Sequence, residues 1–107
     1  MIKQNRAQRI IDALKESGVP QLLITDPLSI YYLTGVAVMP MERFFGLLLK
    51  ENGKHVLFLN RLFTVPENTG LEEVWFSDTD PVTELITEHV DPSSPLGVDK
   101  DLKARFL

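Results

Sequence analysis

Glu42-Arg43 is the pair of residues in this chain that is best placed to do chemistry. It follows Pro40, which breaks any strand ladder, and it precedes the apolar run from Phe44 to Leu49. A loop between strands can hold a guanidinium and a carboxylate where a peptide or a partner subunit meets them. The plainer alternative is a salt bridge at the rim of the fold, which contributes little to stability.

Carboxylate pairs give a weaker candidate, a site for a hard cation. Asp78-Thr79-Asp80 and Asp99-Lys100-Asp101 each bring two carboxylates together. A calcium ion takes about six to eight oxygen ligands, which is more than either loop offers. Helix capping accounts for Asp80, and for Asp99 or Asp101 nearly as well. We therefore predict no metal site here.

Histidine and tryptophan complete the candidates. His55 begins a predicted strand and His89 ends a predicted helix, so a structural role is expected of both. Trp75 lies in a predicted strand, where packing in a core or an interface is favoured over stacking on a ligand. The common signatures for phosphate binding, zinc proteolysis and serine hydrolysis are missing from the sequence. We predict no catalytic residue in this chain.

Composition narrows the class of protein further. The net charge is −4, and Lys and Arg are scattered among Asp and Glu, which argues against a nucleic-acid partner. The absence of cysteine removes disulfides and thiolate chemistry and fits a reducing compartment. No run approaches the roughly 18 apolar residues of a membrane span, and the N-terminus does not resemble a signal peptide. We expect a cytoplasmic protein without a membrane partner.

The elements that position these residues follow from apolar periodicity and from Gly and Pro punctuation. A length of 107 residues with 44% apolar residues predicts one domain, 1–107, with a single core. The predicted helices and strands are Lys3–Ser17, Gln21–Ile24, the Asp26–Gly35 helix, a brief strand Val36–Val38, the Phe44–Leu49 and His55–Leu59 hairpin, Glu73–Ser77, a helix from Asp80-Pro81, Leu96–Val98, and a helical segment from Lys100 to Leu107.

This order predicts an α/β fold whose mixed β-sheet has about five to six strands and helices on its faces. The stretch from Asp26 to Gly35 is the clearest local pattern in it. Asp26 suits an N-cap, Pro27 suits the first helical position, and Gly35 suits the left-handed residue that ends a helix. We expect Ile30, Leu33 and Tyr31 to pack inward from this helix.

The same stretch, Asp26-Pro27-Leu28-Ser29-Ile30-Tyr31-Tyr32-Leu33-Thr34-Gly35, resembles the Asp-Pro-x-Asn-Ile-x-Tyr-Leu-Thr-Gly segment of the creatinase/prolidase N-terminal domain. The opening helix with Gly18, the Asn52-Gly53 turn and the closing Leu96–Asp99 segment agree with that domain in order. The resemblance covers essentially the whole chain. It implies a ribonuclease H-like motif and a unit that lacks catalytic residues.

In that family the domain precedes a "pita-bread" catalytic domain, which is absent from this chain and which binds two divalent metal ions (Mn, Co or Zn). The resemblance therefore implies the N-terminal domain of an Xaa-Pro dipeptidase or aminopeptidase. It also implies that the domain serves dimerisation and active-site access, with its own C-terminal catalytic domain and a homodimer as partners. Glu42 and Arg43 resemble a loop pair that some bacterial prolidases place near the substrate, so we assign them as substrate-loop residues.

Two other functions stay open at this point. One is a free-standing module that binds a small molecule or a protein near the carboxyl ends of its strands. The other is the N-terminal domain of a creatinase-like amidinohydrolase, or of a catalytically dead relative, since one fold accompanies different active sites. We expect no catalysis by the 107 residues alone and hydrolase activity in a longer parent protein.

Overall fold

The computed structural model describes residues 4–41, 43–65 and 69–99. The helical segment predicted from Lys100 to Leu107 lies outside the described residues, as does Asp101. The elements within the described residues are α1 (Gln4–Ser17), β1 (Gln21–Ile24), α2 (Pro27–Thr34), β2 (Gly46–Lys50), β3 (Val56–Asn60), β4 (Glu72–Phe76), α3 (Val82–His89) and β5 (Leu96–Val98).

The strands form one mixed sheet in the order β4-β3-β2-β1-β5. Strand β2 pairs antiparallel with both of its neighbours, β1 and β3. The outer pairs, β3 with β4 and β1 with β5, are parallel. Strand β2 therefore runs opposite to the other four described strands. The predicted mixed sheet is confirmed, and so is the antiparallel hairpin that the Asn52-Gly53 turn indicated.

Helices cover the sheet on both faces, which is why its central strands are apolar at consecutive positions. Alternate residues of β2 enter different cores: Leu47 and Leu49 face α1 and α2, whereas Leu48 faces the other way. Ile30 of α2 lies in the first core and Ile86 of α3 in the second. One layer of helices on each side therefore keeps β2 and β3 away from solvent.

Helix α2 has the ends that its sequence predicts. The Asp26 carboxylate accepts hydrogen bonds from the backbone N–H of Leu28 and Ser29, at 3.4 and 3.3 Å. Gly35 has a φ of 77° and donates its N–H to the carbonyl of Tyr31 at 2.8 Å. A left-handed conformation of this kind costs any residue with a Cβ more than it costs glycine.

Three local predictions are wrong. Val36–Val38 is not a strand: it pairs with none of the described strands, and Val36 lies in the first core with Val38 packed against it. Tyr31 is exposed, so only Ile30, Leu33 and Thr34 of α2 are buried. Asp80 does not cap α3, because its carboxylate accepts the N–H of Ser77 at 2.7 Å and closes the turn after β4 instead.

Candidate functional site

The strand directions bring the polar candidates to one end of the sheet. Strands β1, β3, β4 and β5 all end where β2 begins. Thr25 follows β1, Asn60 ends β3, Asp78 follows β4, Asp99 follows β5, and Arg43 precedes β2. We call this end the carboxyl edge and define it by those five residues. Ligands of open α/β sheets commonly bind at such an edge.

Arg43 is held on the carboxyl edge by two parallel hydrogen bonds to Asp78. Its Nε donates to Oδ1 at 3.1 Å and its Nη2 donates to Oδ2 at 3.2 Å. Both side chains are about half exposed, at 41% and 54%. The hydrogen bonds from Arg43, and after them one from Asn60, lower the pKa of Asp78 below its usual 3.8. The carboxylate is therefore ionised at neutral pH.

Asn60 joins this pair to the interior. Its side chain is almost completely buried, at 1% exposed. Its Nδ2 donates to Asp78 Oδ1 at 2.7 Å, and its Oδ1 accepts the N–H of Leu62 at 3.0 Å. A buried amide with both ends satisfied has little freedom to turn. No sequence motif points to this residue, because Asn60 simply ends an apolar strand.

The loop before β2 turns sharply just ahead of Arg43. The Arg43 N–H donates to the carbonyl of Pro40 at 2.9 Å, and Met41 has a φ of 56°, in the left-handed region. Met39 and Met41 are exposed there. Glu42, the other residue assigned to the substrate loop, lies outside the described residues, so the structure places only Arg43 of the predicted pair.

Asp99 gives the carboxyl edge a second polar cluster. One of its oxygens, Oδ2, accepts the backbone N–H groups of Thr25 and Asp26 at 2.7 and 2.9 Å. The other, Oδ1, accepts the hydroxyl of Thr25 at 2.8 Å. This carboxylate ties the end of β5 to the turn between β1 and α2. Both oxygens of Asp99 are therefore occupied by groups of this domain.

The remaining candidates have structural partners. His55 Nδ1 accepts the N–H of Lys50 at 3.1 Å, and burial lowers the pKa of the His55 imidazole. His89 lies between the Leu85 carbonyl and a Glu72 carboxylate oxygen, at 3.0 and 3.1 Å. Trp75 packs against the first core, as predicted, and its Nε1 donates to Glu73.

Metal chemistry does not fit the part of the chain that the structure describes. No group of three or more His, Asp or Glu side chains there comes close enough to hold a metal ion. The resemblance assigns its two metal ions to the catalytic domain and not to these residues. Within the same ranges, no helix is long and apolar enough to cross a membrane.

Exposed apolar side chains are unevenly distributed over the molecule. Leu28, Met39, Met41 and Leu62 are each between 68% and 85% exposed. All four follow a strand that ends at the carboxyl edge or precede the strand that begins there. The turn at the opposite end, 51–54, carries Glu51, Asn52, Gly53 and Lys54 and no large apolar residue. Exposed apolar side chains at one end of a fold make that end a candidate interaction surface.

A shallow apolar groove adjoins the same edge. Its volume is about 400 Å³, and it lies between α1, α2 and β1 with Asp99 at its margin. Ile10, Leu22 and Leu33 contribute to its wall, and Leu28 and Tyr32 to its rim. The groove is open to solvent and contains few polar groups that could orient a ligand.

The chain belongs to the Creatinase/Prolidase N-terminal domain family, and the model of that family matches residues 6–106. The resemblance in the Asp26–Gly35 segment is thereby confirmed. An uncharacterized peptidase of Staphylococcus aureus (strain USA300) is 36% identical over 93 residues, which are 87% of this chain and 24% of that protein. The chain thus spans about a quarter of the length of the curated relatives it matches.

Solved structures agree on the fold. A proline dipeptidase from Streptococcus agalactiae 2603V superposes with a TM-score of 0.81 at 19% identity, covering 95% of this chain and 81% of that chain. A dipeptidase from Pyrococcus horikoshii OT3 superposes with a TM-score of 0.74 at 22% identity, covering 94% of this chain and 30% of that one. In the second case the same fold is one part of a much longer chain.

Proposed function

We propose that this chain is the non-catalytic N-terminal domain of a metal-dependent peptidase that hydrolyses Xaa-Pro dipeptides or removes residues from proline-containing peptides. The observation that carries the proposal is the family match over residues 6–106. The chain forms one domain, 1–107, and the catalytic domain belongs to the longer parent protein. Two divalent metal ions, Mn, Co or Zn, would be held there and would supply the activated water.

The carboxyl edge is the surface that this role requires. An accessory domain must contact the rest of its protein, and Leu28, Met39, Met41 and Leu62 offer it an exposed apolar surface. Arg43 lies beside that surface, fixed by Asp78. We propose that the edge contacts the catalytic domain or the partner subunit of a cytoplasmic homodimer, and that the loop with Glu42 and Arg43 limits entry to the active site.

The test compares this chain with the protein expressed from the complete reading frame. Both are assayed for hydrolysis of Xaa-Pro dipeptides with added Mn²⁺ or Co²⁺, and an Xaa-Ala dipeptide serves as the control substrate. We expect activity toward Xaa-Pro only in the longer protein. Activity in the 107-residue chain would overturn the assignment as an accessory domain. A longer protein active only toward creatine-like amidines would favour the amidinohydrolase alternative.

The apolar groove supports a second candidate function, the binding of a small apolar molecule by a free-standing module. The groove has a volume of about 400 Å³, within the usual range for ligand sites. Its test is a fragment screen by NMR on this chain. Binding at Ile10 and Leu33, together with a reading frame that ends without a metallopeptidase domain, would favour this candidate over the first.

A further inference from the structure

The geometry of the Arg43 side chain leaves one half of its guanidinium available. Nε and Nη2 form the edge that Asp78 occupies. A guanidinium has five N–H donors, so the edge formed by one hydrogen of Nη1 and the second hydrogen of Nη2 remains. Among the residues that the structure describes, Nη1 has no hydrogen-bond partner. That edge has the spacing to donate two parallel hydrogen bonds to a carboxylate.

Asp78 is itself prevented from turning away. The Nδ2 of buried Asn60 donates to it at 2.7 Å, a shorter contact than either bond from Arg43. A chain of hydrogen bonds therefore runs from Asn60, at the buried end of β3, through Asp78 to the half-exposed guanidinium of Arg43. An isolated surface ion pair would swing freely, whereas a bidentate pair anchored in the interior holds one geometry.

The surroundings of Arg43 indicate what kind of anion would bind. Met39 and Met41, in the turn that leads to Arg43, are 85% and 74% exposed. Methionine is flexible and adapts to small apolar shapes. A fixed cation in the same loop as two such side chains fits a carboxylate that is joined to a compact apolar body. A bare inorganic anion would use only the cation.

We propose that Asp78 and Asn60 are positioning residues that hold Arg43 ready to bind the terminal carboxylate of a short peptide with an apolar last residue. This inference rests on the proposed function for the choice of a proline-containing peptide. It goes beyond that function in assigning roles to Asp78 and Asn60, and in naming the peptide carboxylate as the group that Arg43 binds.

The test uses this chain, ¹⁵N-labelled, with the Arg43 Nε–Hε signal assigned through Arg43→Lys. N-acetyl-L-proline is titrated as the probe, and N-acetyl-L-prolinamide, which lacks the carboxylate, is the matched control. We expect the acid but not the amide to shift the Arg43 signal. Asp78→Asn is expected to weaken binding of the acid roughly two- to fivefold, the usual range for an exposed ion pair. It should also loosen Nε–Hε in relaxation measurements, whereas Asp78→Glu should restore much of both.

Asp80→Asn is the matched control variant, because Asp80 lies in the same turn and bonds Ser77 rather than Arg43. It should leave both the affinity and the relaxation unchanged. Equal shifts with acid and amide, no shift with either, or an Asp78→Asn protein identical to wild type would each overturn the inference. The peptidase assay of the longer protein is a separate experiment, so failure of the proposed function and failure of this inference are distinguishable.

Discussion

Buried polar side chains hold several loops of this domain in place through hydrogen bonds. Gln21 is 2% exposed, and its side chain bonds the backbone of Asp91 and Ser94, which holds the loop between α3 and β5. Asn60 holds Asp78, and His55 holds the N–H of Lys50. No buried side-chain nitrogen or oxygen of the described residues lacks a partner. Each of these side chains is costly to replace, since its partners would be left unsatisfied.

His55 should make the stability of the domain depend on pH. Its pKa is lowered by burial from 6.5, so the unfolded chain binds more protons than the folded chain around that pH. The free energy of unfolding should therefore fall as the pH drops through about 6.5, and the loss should continue until the folded imidazole is also protonated. Urea denaturation between pH 7.5 and roughly 5 measures this.

His55→Gln should flatten that dependence, because glutamine does not titrate. Asp78 and Asp91 also have lowered pKa values, but the stability they contribute is present above about 3.8 and is lost below it. Their effect therefore falls outside the range of the measurement. A wild-type protein and a His55→Gln protein with the same slope would show that the imidazole is equally protonated in both states.

At the scale of elements, β5 depends on a side chain beyond its own end. It has three residues, pairs only with β1 among the described strands, and leaves Leu96 and Val98 partly exposed. So short an edge strand gains little from its ladder. The Asp99 carboxylate compensates, because it bonds the backbone of the turn that follows β1.

Asp99→Ala should accordingly destabilise the domain by about 1–3 kcal/mol, since it leaves the N–H groups of Thr25 and Asp26 without their charged acceptor. Thr25→Val is the control, because it removes only the hydroxyl contact and should cost less. Urea unfolding gives the free energies, and hydrogen exchange at Leu23 and Val98 locates the effect. A loss below about 0.5 kcal/mol would mean that water replaces the carboxylate without cost.

Local sequence patterns predicted the elements well at positions whose backbone conformation suits only a few residue types. The Asn52-Gly53 turn and the glycine end of α2 followed from backbone conformations that few residues adopt. Aspartates were harder to assign, because a carboxylate accepts whichever N–H group the tertiary fold presents. Asp80 closes a turn instead of capping α3, and Asp99 bonds a turn more than seventy residues away in sequence. The Arg43–Asp78–Asn60 cluster was hidden for the same reason.

The whole molecule has two unlike ends. Because β2 is reversed, the carboxyl edge combines the fixed guanidinium of Arg43 with the exposed apolar side chains, while the turn 51–54 at the other end is polar. An exposed apolar edge of this kind is the surface that a domain within a larger assembly would bury. The family resemblance predicts a part of a larger protein, whereas the contact surface that we propose rests on the exposed side chains of the structure.

Leu28→Glu combined with Leu62→Glu should disrupt that contact. For the homodimer of the longer protein that we proposed above, we expect loss of the dimer by light scattering, because two charges would be buried in an apolar interface. In the 107-residue chain the same pair should change the free energy of unfolding by no more than about 0.5 kcal/mol per site, since both side chains are exposed. Lys54→Glu, at the opposite end, is the control. An unaltered dimer would place the subunit contact elsewhere.

The polar turn between β2 and β3 is also a suitable position for attaching a label. The chain has no cysteine, so a single cysteine in place of Lys54 would give one thiol for attaching a fluorophore or a spin label. The label would lie at the far end of the sheet from Arg43 and the exposed methionines. Distance measurements to a second label in a longer protein would then have a reporter that is remote from the carboxyl edge.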